Sequence, residues 1–289
     1  MIIKTKNMMQ IWTIIKDKVV LLKPEEILEF QIENEDIDYK AWVDLAHLLF
    51  CKMSIINLTD TTLTMQFLKL DRSISFHNID DKTEEKYGKD STFAKIDKNN
   101  QPAFLVHYLK ALKNVKVDTR IRILNLGVNS GEEFEVIKNV SKNFENLELI
   151  GVDYCSSAIE EAKKNFTESN ITFMVGDINK LEELNLGTFD LIISIGTLQS
   201  SNLDFNTVFM NIVQNYLKND GAMILGFPNC RWIDGEMIYG AMVKNYNFSE
   251  LSLLYKDVNF CKKYLQQKKF RVTVTGKDYI FLTATSIRK

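Results

Sequence analysis

The stretch 121–136, IRILNLGVNSGEEFEV, constrains the fold more than any other part of the chain. It begins with an apolar run bounded by polar residues, which is typical of a buried central strand. A turn with Gly127 and Gly131 follows, and Glu132 and Glu133 then precede apolar residues at helical spacing. Acidic residues in a first helical turn are favoured by the helix dipole. The stretch therefore predicts a strand, a glycine loop and a helix, and such a loop is either a cofactor site or a plain tight turn.

Further strand-like runs follow the loop at regular intervals and alternate with a predicted helix at 156–166. The runs cover 147–152, 171–175 and 189–195. This alternation predicts right-handed crossovers and a parallel sheet. Asp153, Asp177 and Gln199 each come after one of these strands. Because the carboxyl ends of parallel strands meet at one edge of a sheet, we expect these three residues beside Gly127, where ligands bind in such folds.

The C-terminal part of the chain predicts the remaining elements of the sheet. We expect a helix over 204–217 that ends at Gly221 in a left-handed conformation, a strand over 222–227, and a helix over 260–267. The runs 270–275 and 279–285 predict a hairpin that turns at 276–278. The predicted fold is α/β, a doubly wound, seven-stranded, mostly parallel sheet with a C-terminal antiparallel hairpin, preceded by an α+β N-terminal extension.

From about Arg120 to the C-terminus, these motifs resemble those of class I S-adenosylmethionine-dependent methyltransferases. The resemblance implies that the glycine loop lies beneath the methionine part of the cofactor and that Asp153 binds the ribose hydroxyls. It implies that Asp177 contacts the adenine amino group and that residues 196–200 line the methyl-transfer site. An aromatic residue ahead of the core folds over the cofactor in many members, and Tyr87 resembles it. The cofactor-binding residues implied are Asn125, Leu126, Gly127, Asn129, Gly131, Asp153, Tyr154, Asp177, Ile178, Ile195, Gly196 and Tyr87.

The chain departs from the family pattern at two positions. The family usually carries an acidic residue two places before the first glycine, where this chain has Asn125, and its middle glycine is replaced by Asn129. Asparagine tolerates a positive φ better than most residues. The two acids suit the cofactor chemically, because a carboxylate supplies the two acceptors that a ribose diol needs. The alternative is that Asp153 and Asp177 only cap the helices that follow them.

The first 117 residues are predicted to form an α+β extension that serves as a substrate or cap region. We expect strands over 28–32, 54–58 and 61–70 and helices over 39–53 and 102–113. Residues 118–289 are predicted to form the S-adenosylmethionine-binding methyltransferase domain, with an insertion at about 228–256 that is rich in aromatic residues.

Composition limits the classes of partner and the compartment. The net charge of −2 argues against a surface that coats nucleic acid. The four cysteines form no CxxC pair and there are three histidines, so no metal site is predicted. The cysteines are interpreted as free thiols in a reducing cytoplasm. The N-terminal run 8–22 is interrupted by charges and predicts neither a signal peptide nor a membrane span.

The predicted function is transfer of a methyl group from S-adenosyl-L-methionine to an oxygen or nitrogen nucleophile, with a small molecule as the expected acceptor. The candidate catalytic residues are Gln199, Arg231, Trp232, Asp234, Glu236 and His77. The cluster 231–236 also suits a solvated loop. A protein or tRNA acceptor and a non-catalytic binding module remain alternatives. A nicotinamide-dependent oxidoreductase is disfavoured, because the loop lacks the G-x-G-x-x-G fingerprint.

Overall fold

A computed structural model describes most of the chain. It covers residues 1–5, 7–33, 38–71, 88, 91, 97–200, 202–228, 231–233, 236–238, 251–277 and 279–288. The chain divides into two compact units, residues 1–79 with 235–239, and residues 80–234 with 240–289. The predicted domain boundary at residue 117 and the assignment of residues 1–117 to a cap region stay predictions. None of the helices in the described ranges combines the length and apolar character that a membrane-spanning segment needs.

The first unit is a four-stranded sheet with two helices. In chain order, its elements are β1 (Ile2–Ile3), α1 (Met8–Val19), β2 (Ile27–Glu33), α2 (Tyr39–Leu48), β3 (Cys51–Leu58) and β4 (Thr62–Lys69). The strand order is β1-β2-β4-β3. Asn7 caps α1 by accepting from the N–H groups of Met9 and Gln10, and Asp38 caps α2 by accepting from that of Ala41.

Alternation of apolar and polar residues builds the core of the first unit. Phe30, Met65 and Phe67 are fully buried on the sheet face that packs against Ile15 of α1 and Trp42 of α2. The predicted strands at 28–32, 54–58 and 61–70 are confirmed by β2, β3 and β4. The helix predicted over 39–53 ends at Leu48, because Phe50 takes a left-handed conformation and Cys51 begins β3.

The second unit carries a seven-stranded sheet. Its elements are α3 (Pro102–Asn114), β5 (Arg122–Leu126), α4 (Glu132–Val140), β6 (Glu148–Asp153), α5 (Ser156–Asn165), β7 (Ile171–Val175), β8 (Phe189–Ile195), α6 (Phe205–Asn211), β9 (Leu217–Pro228), α7 (Leu251–Gln267), β12 (Phe270–Gly276) and β13 (Tyr279–Ser286). Two short strands, β10 (Arg231–Ile233) and β11 (Glu236–Ile238), follow β9 in the chain. Short 3-10 segments cover Val117–Thr119, Phe144–Asn146 and Ile178–Leu184, and a π-helical turn covers Ile212–Tyr216.

The sheet has the predicted doubly wound topology. Its strand order is β12-β13-β9-β8-β5-β6-β7, and only the pairings of β13 with β9 and β12 are antiparallel. The order reverses between β5 and β8, so their carboxyl ends open a crevice at the switch point. The fold class expected from the sequence is confirmed.

Two apolar layers cover the faces of this sheet. On one face, Phe104 and Tyr108 of α3 pack against Phe281 of β13, within a cluster that also contains Phe134 of α4. On the other face, α6 and α7 pack against a second cluster that includes Phe227 of β9. Along β5, Ile123 belongs to the first cluster and Leu124 and Leu126 to the second, as a strand buried on both faces requires.

The helix predicted over 204–217 ends through the π-helical turn at Tyr216, within one residue of the predicted bound. The left-handed stop predicted at Gly221 is wrong, because strand pairing already starts at Leu217. Gly221 does not have a positive φ. The register between β8 and β9 shifts between the pair Phe189–Leu217 and the pair Leu191–Ala222, so residues 218–221 form a bulge in the strand.

Candidate functional site

The glycine loop joins β5 to α4 at the switch point of the sheet. Three of its residues are left-handed, with φ of 75° at Gly127, 46° at Asn129 and 95° at Gly131. Asparagine therefore supplies the backbone conformation expected of a middle glycine. The N–H groups of Gly127 and Val128 donate to the carbonyl oxygen of Val152, at 2.8 and 3.2 Å. These bonds fix the start of the loop to the end of β6.

Gly127 lies against the segment that follows β8. A Cβ built on Gly127 would lie 1.9 Å from the Thr197 Oγ1 atom and 2.7 Å from its Cβ. Gly196 in the same segment is also left-handed, with a φ of 74°, and its N–H donates to the carbonyl of Gly226. The glycine loop and residues 196–200 are therefore in direct contact, as the predicted site requires of them.

Asp153 connects the end of β6 to the glycine loop. Its Oδ2 accepts the Asn129 N–H at 2.9 Å and its Oδ1 accepts the Cys155 N–H at 2.9 Å. Burial raises the pKa of Asp153 above its usual value, although these two backbone donors oppose the shift. The residue at the N-cap of α5 is Cys155, which makes no side-chain cap. Asp153 therefore anchors the loop, and the helix-cap alternative does not describe it.

Asp177 does cap the segment that follows it. It is the N-cap residue of the 3-10 segment Ile178–Leu184, and its Oδ1 accepts the backbone N–H of Asn179 at 2.9 Å and the Asn179 amide at 3.0 Å. Both bonds end on one oxygen. Ile178 is buried beside it. The N–H of Gly176 donates to the carbonyl of Asp153 at 2.9 Å, which holds the ends of β6 and β7 together.

The end of β8 carries buried polar side chains without partners. Gln199 is 2% exposed and Ser194 is 3% exposed. Within the part of the chain that the structure describes, neither the Gln199 Oε1 nor the Ser194 Oγ has a hydrogen-bond partner. Since buried polar groups are normally hydrogen-bonded, these atoms indicate a place that a ligand or water completes. Ile195 is buried beside them, and Tyr154 at the end of β6 is exposed.

A buried charged cluster borders the glycine loop on the side of α3. The Lys98 Nζ lies 3.0 Å from the Glu133 Oε1, and the Asn125 Nδ2 donates to the Glu133 Oε2 at 3.2 Å. Lys98 also lies 3.8 Å from the carboxylate of Glu132. Lys98 and the function of Glu133 were missed at the sequence level. Lys98 precedes Glu133 by 35 residues and has no periodic pattern that would connect the two.

Comparison with known proteins identifies the family. A family model described as "Methyltransferase domain" matches residues 118–275. The chain belongs to this methyltransferase family. The predicted family, enzyme class and cofactor, S-adenosyl-L-methionine, are thereby confirmed.

Two relatives illustrate the extent of the similarity. Over 107 residues the chain is 35% identical to the malonyl-[acyl-carrier protein] O-methyltransferase of Priestia megaterium. That match covers 36% of this chain, and the chain spans about a third (35%) of that relative's length. A structure of the plantazolicin methyltransferase in complex with SAH superposes with a TM-score of 0.50 at 13% identity. It covers 75% of this chain and 96% of the other, and it supports the fold.

The other predicted catalytic residues of this methyltransferase remain predictions. Arg231 and Trp232 lie on β10 and Glu236 on β11, where the structure describes the backbone. Asp234, His77 and the predicted aromatic lid Tyr87 lie outside the described residues. Of the predicted site residues within the described ranges, the structure brings together the glycine loop, Asp153, residues 176–178 and Gln199.

Glu132 makes the stability of the methyltransferase domain depend on pH. Burial raises the pKa of Glu132 to about 7, against the opposing charge of Lys98. The native state therefore keeps this proton up to about pH 7, whereas an unfolded glutamate loses it near its usual pKa of about 4.3. Between those values, rising pH lowers the free energy of unfolding, by at most about 4 kcal/mol for this group.

We expect Glu132→Gln to remove this contribution. Urea unfolding at pH 5 and pH 8 measures it: the wild type should lose more stability on going to pH 8 than the variant loses. Glu135→Gln, an exposed acid of the same helix turn, should behave as the wild type does. Equal pH slopes for wild type and Glu132→Gln would contradict the assignment.

Proposed function

We propose that this protein transfers the methyl group of S-adenosylmethionine to an oxygen nucleophile of a small molecule, in a cytoplasmic setting. The observation that carries the proposal is the Asp153 carboxylate, which accepts the Asn129 N–H of the glycine loop and ends the strand next to the switch point. A carboxylate has about four acceptor positions. The backbone N–H groups of Asn129 and Cys155 use one on each oxygen, and the N–H of Tyr154 also bonds to the carboxylate. The position that remains suits a ribose hydroxyl.

The rest of the site supports the same ligand. Gly127 and Gly131 of the left-handed loop carry no Cβ, so their backbone can approach the methionine part closely. The free oxygen of Asp177 suits the adenine amino group, and Ile178 supplies an apolar neighbour for the ring. Basic residues are absent from the described residues 125–131, 153–154 and 176–178, which suits a cationic sulfonium.

The chain's own residues would align the acceptor and exclude water. The cofactor, when bound, supplies a methyl carbon already activated by a sulfonium. Gln199 is the best-placed candidate for orienting the methyl acceptor, because its buried Oε1 has no partner among the described residues and can accept a hydrogen bond from a hydroxyl. Arg231, Trp232, Asp234, Glu236 and His77 stay candidates for orienting the acceptor or taking its proton.

Oxygen is proposed as the nucleophile on the strength of one relative. The relative from Priestia megaterium is named as an O-methyltransferase, and its match covers 36% of this chain. The cytoplasmic setting rests on the thiols of Cys51, Cys155 and Cys261, which are buried and form no disulfide within the described part of the chain.

The decisive experiment uses the donor itself. Calorimetry with S-adenosylhomocysteine should show binding in the micromolar range, and incubation with methyl-labelled S-adenosylmethionine and fractionated cell extract should place label in small molecules. Label in protein or tRNA would show that the acceptor is a macromolecule and not the proposed small molecule. Binding without label in any fraction would favour a non-catalytic module, and no binding would overturn the proposal.

A further inference from the structure

We infer that Lys98, Asn125 and Glu133 form a positioning network that sets the glycine loop toward the amino-acid end of the methyl donor. This inference rests on the proposed function. It assigns a role to a buried lysine ahead of α3 and explains why position 125 is an amide. The three side chains bond to one another, so they act through the backbone of the loop, and Asn125 takes this role in place of the cofactor contact that the resemblance implies for it.

The network joins both ends of the loop. Asn125 lies two residues before Gly127 and Glu133 lies two residues after Gly131. One carboxylate bridges them: the Glu133 Oε2 accepts from Asn125, and the Glu133 Oε1 faces the Lys98 Nζ. Asn125 is fully buried, Glu133 is 1% exposed and Lys98 is 8% exposed. Solvent therefore cannot replace any of these contacts.

The charges of the network are mutually dependent. Burial opposes the charge of Lys98, but the carboxylates of Glu133 and Glu132 outweigh that effect and raise the pKa of the lysine above its usual value. A buried ion whose partner is removed is left uncompensated, which is strongly unfavourable. The Glu133 carboxylate is satisfied on both oxygens, by an ammonium on one and an amide on the other. The three side chains thus form one connected unit, in which the Asn125 Oδ1 has no partner among the described residues.

Neighbouring bonds transmit the position of the network to the backbone. The Asn99 Nδ2 donates to the carbonyl of Glu132 at 2.9 Å, and the Tyr108 hydroxyl donates to the carbonyl of Glu133 at 3.3 Å. Both bonds hold the first turn of α4 against residues 99–108. The Lys98 Nζ also lies 5.8 Å from the centroid of the Phe104 ring. The orientation of the loop therefore depends on the segment ahead of the core.

The geometry explains Asn125. Its Nδ2 donates to the Glu133 Oε2, and an amide NH2 group supplies the donor that this acceptor oxygen needs. An aspartate at position 125 would place two carboxylates against each other with Lys98 as their nearest cation. An acid at 125 and an acid at 133 are therefore alternatives, and this chain has the second.

A charge exchange tests the inference. We expect Asn125→Asp to lower the affinity for S-adenosylhomocysteine by at least 30-fold and to lower Tm by several degrees. The double variant Asn125→Asp/Glu133→Gln restores one acid and one amide, and it should recover the affinity to within about 5-fold of the wild type. Lys98→Met should resemble the single variant. Glu135→Gln, an exposed acid in the same turn, serves as the control and should change neither quantity.

A second ligand separates positioning from folding. 5′-Methylthioadenosine lacks the amino-acid end, so its affinity should change by less than 3-fold in every folded variant. Equal losses for both ligands, or no recovery in the double variant, would overturn the inference while leaving the proposed function intact. If the wild type binds neither ligand, the proposed function fails and takes the inference with it.

Discussion

Gly127→Ala is expected to lower the affinity for S-adenosylhomocysteine by more than 100-fold. The φ of 75° costs a residue with a Cβ about 1–2 kcal/mol. The new Cβ would also lie 1.9 Å from the Thr197 Oγ1, 2.5 Å from its Cγ2 and 2.7 Å from its Cβ. Rotating the Thr197 side chain moves the first two atoms but leaves the third in place. The loop must therefore move away from the segment after β8, and a displacement of about 1 Å in a binding site can cost about 100-fold.

Gly187→Ala is the matched control for this prediction. Gly187 has a φ of 72°, and the nearest atom to its Cβ would be the Arg122 Nη1 at 3.3 Å. It precedes β8, at the opposite end of the strand from Gly196. The control therefore has the same backbone cost without the clash, and it should lose about 1–2 kcal/mol of stability with unchanged ligand affinity.

Calorimetry and urea unfolding of both variants measure the difference. Thr197→Gly in the Gly127→Ala background removes the obstructing Cβ and should recover part of the affinity. If Gly127→Ala and Gly187→Ala bind S-adenosylhomocysteine equally well, the contact between loop and segment is not needed for binding.

The sequence correctly predicted the strands of the second unit wherever a local pattern sets their ends. The strands at 171–175 and 189–195 have the predicted bounds, because each is a short apolar run that ends at polar residues or glycine. The hairpin of β12 and β13 was predicted from the glycine at the start of its turn. In the structure, Gly276 has a φ of 128°, a conformation that favours glycine. Local patterns were sufficient where one residue type fixes the boundary.

Boundaries set by tertiary contacts could not be predicted. The apolar face of α2 continues through Leu49 and Phe50, so its periodicity extends past the point where the backbone leaves the helix. Gly221 was interpreted as a helix stop, but pairing with β8 already begins at Leu217. In the same way, Glu133 resembles any acid in a first helical turn, and only the fold reveals that Lys98 faces it. Long-range pairing of single residues has no sequence period.

Asp153→Asn is expected to lower the affinity for S-adenosylhomocysteine by about 100-fold or more. The amide has one acceptor oxygen, and its NH2 group would face the N–H of either Asn129 or Cys155, donor against donor. A hydrogen bond to a charged group contributes about 1.5–3 kcal/mol, so losing the one toward the ribose, together with a displaced contact to the loop, gives an effect of about this size. The variant should also be less stable by about 2 kcal/mol, because one buried donor is left unsatisfied.

Asp177→Asn is the matched control for Asp153→Asn. Asp177 is half-buried, and an asparagine there keeps one oxygen, which can serve either Asn179 or the adenine amino group, so one side of its contacts is lost and no buried charge is involved. Its affinity for S-adenosylhomocysteine should fall by less than about 10-fold. The two variants make the same chemical change, so a difference between them reports the position of the carboxylate.

The ribose contact itself is tested with a 2′-deoxy analogue of S-adenosylhomocysteine. In the wild type, removing the hydroxyl should weaken binding by about 10-fold or more, since one charged hydrogen bond is lost. In Asp153→Asn, the same removal should cost little, because the acceptor is already gone. Because burial raises the pKa of Asp153, wild-type affinity should also fall on acidification at a higher pH than for an ordinary aspartate. If both proteins lose the same affinity with the deoxy analogue, Asp153 does not bind the ribose.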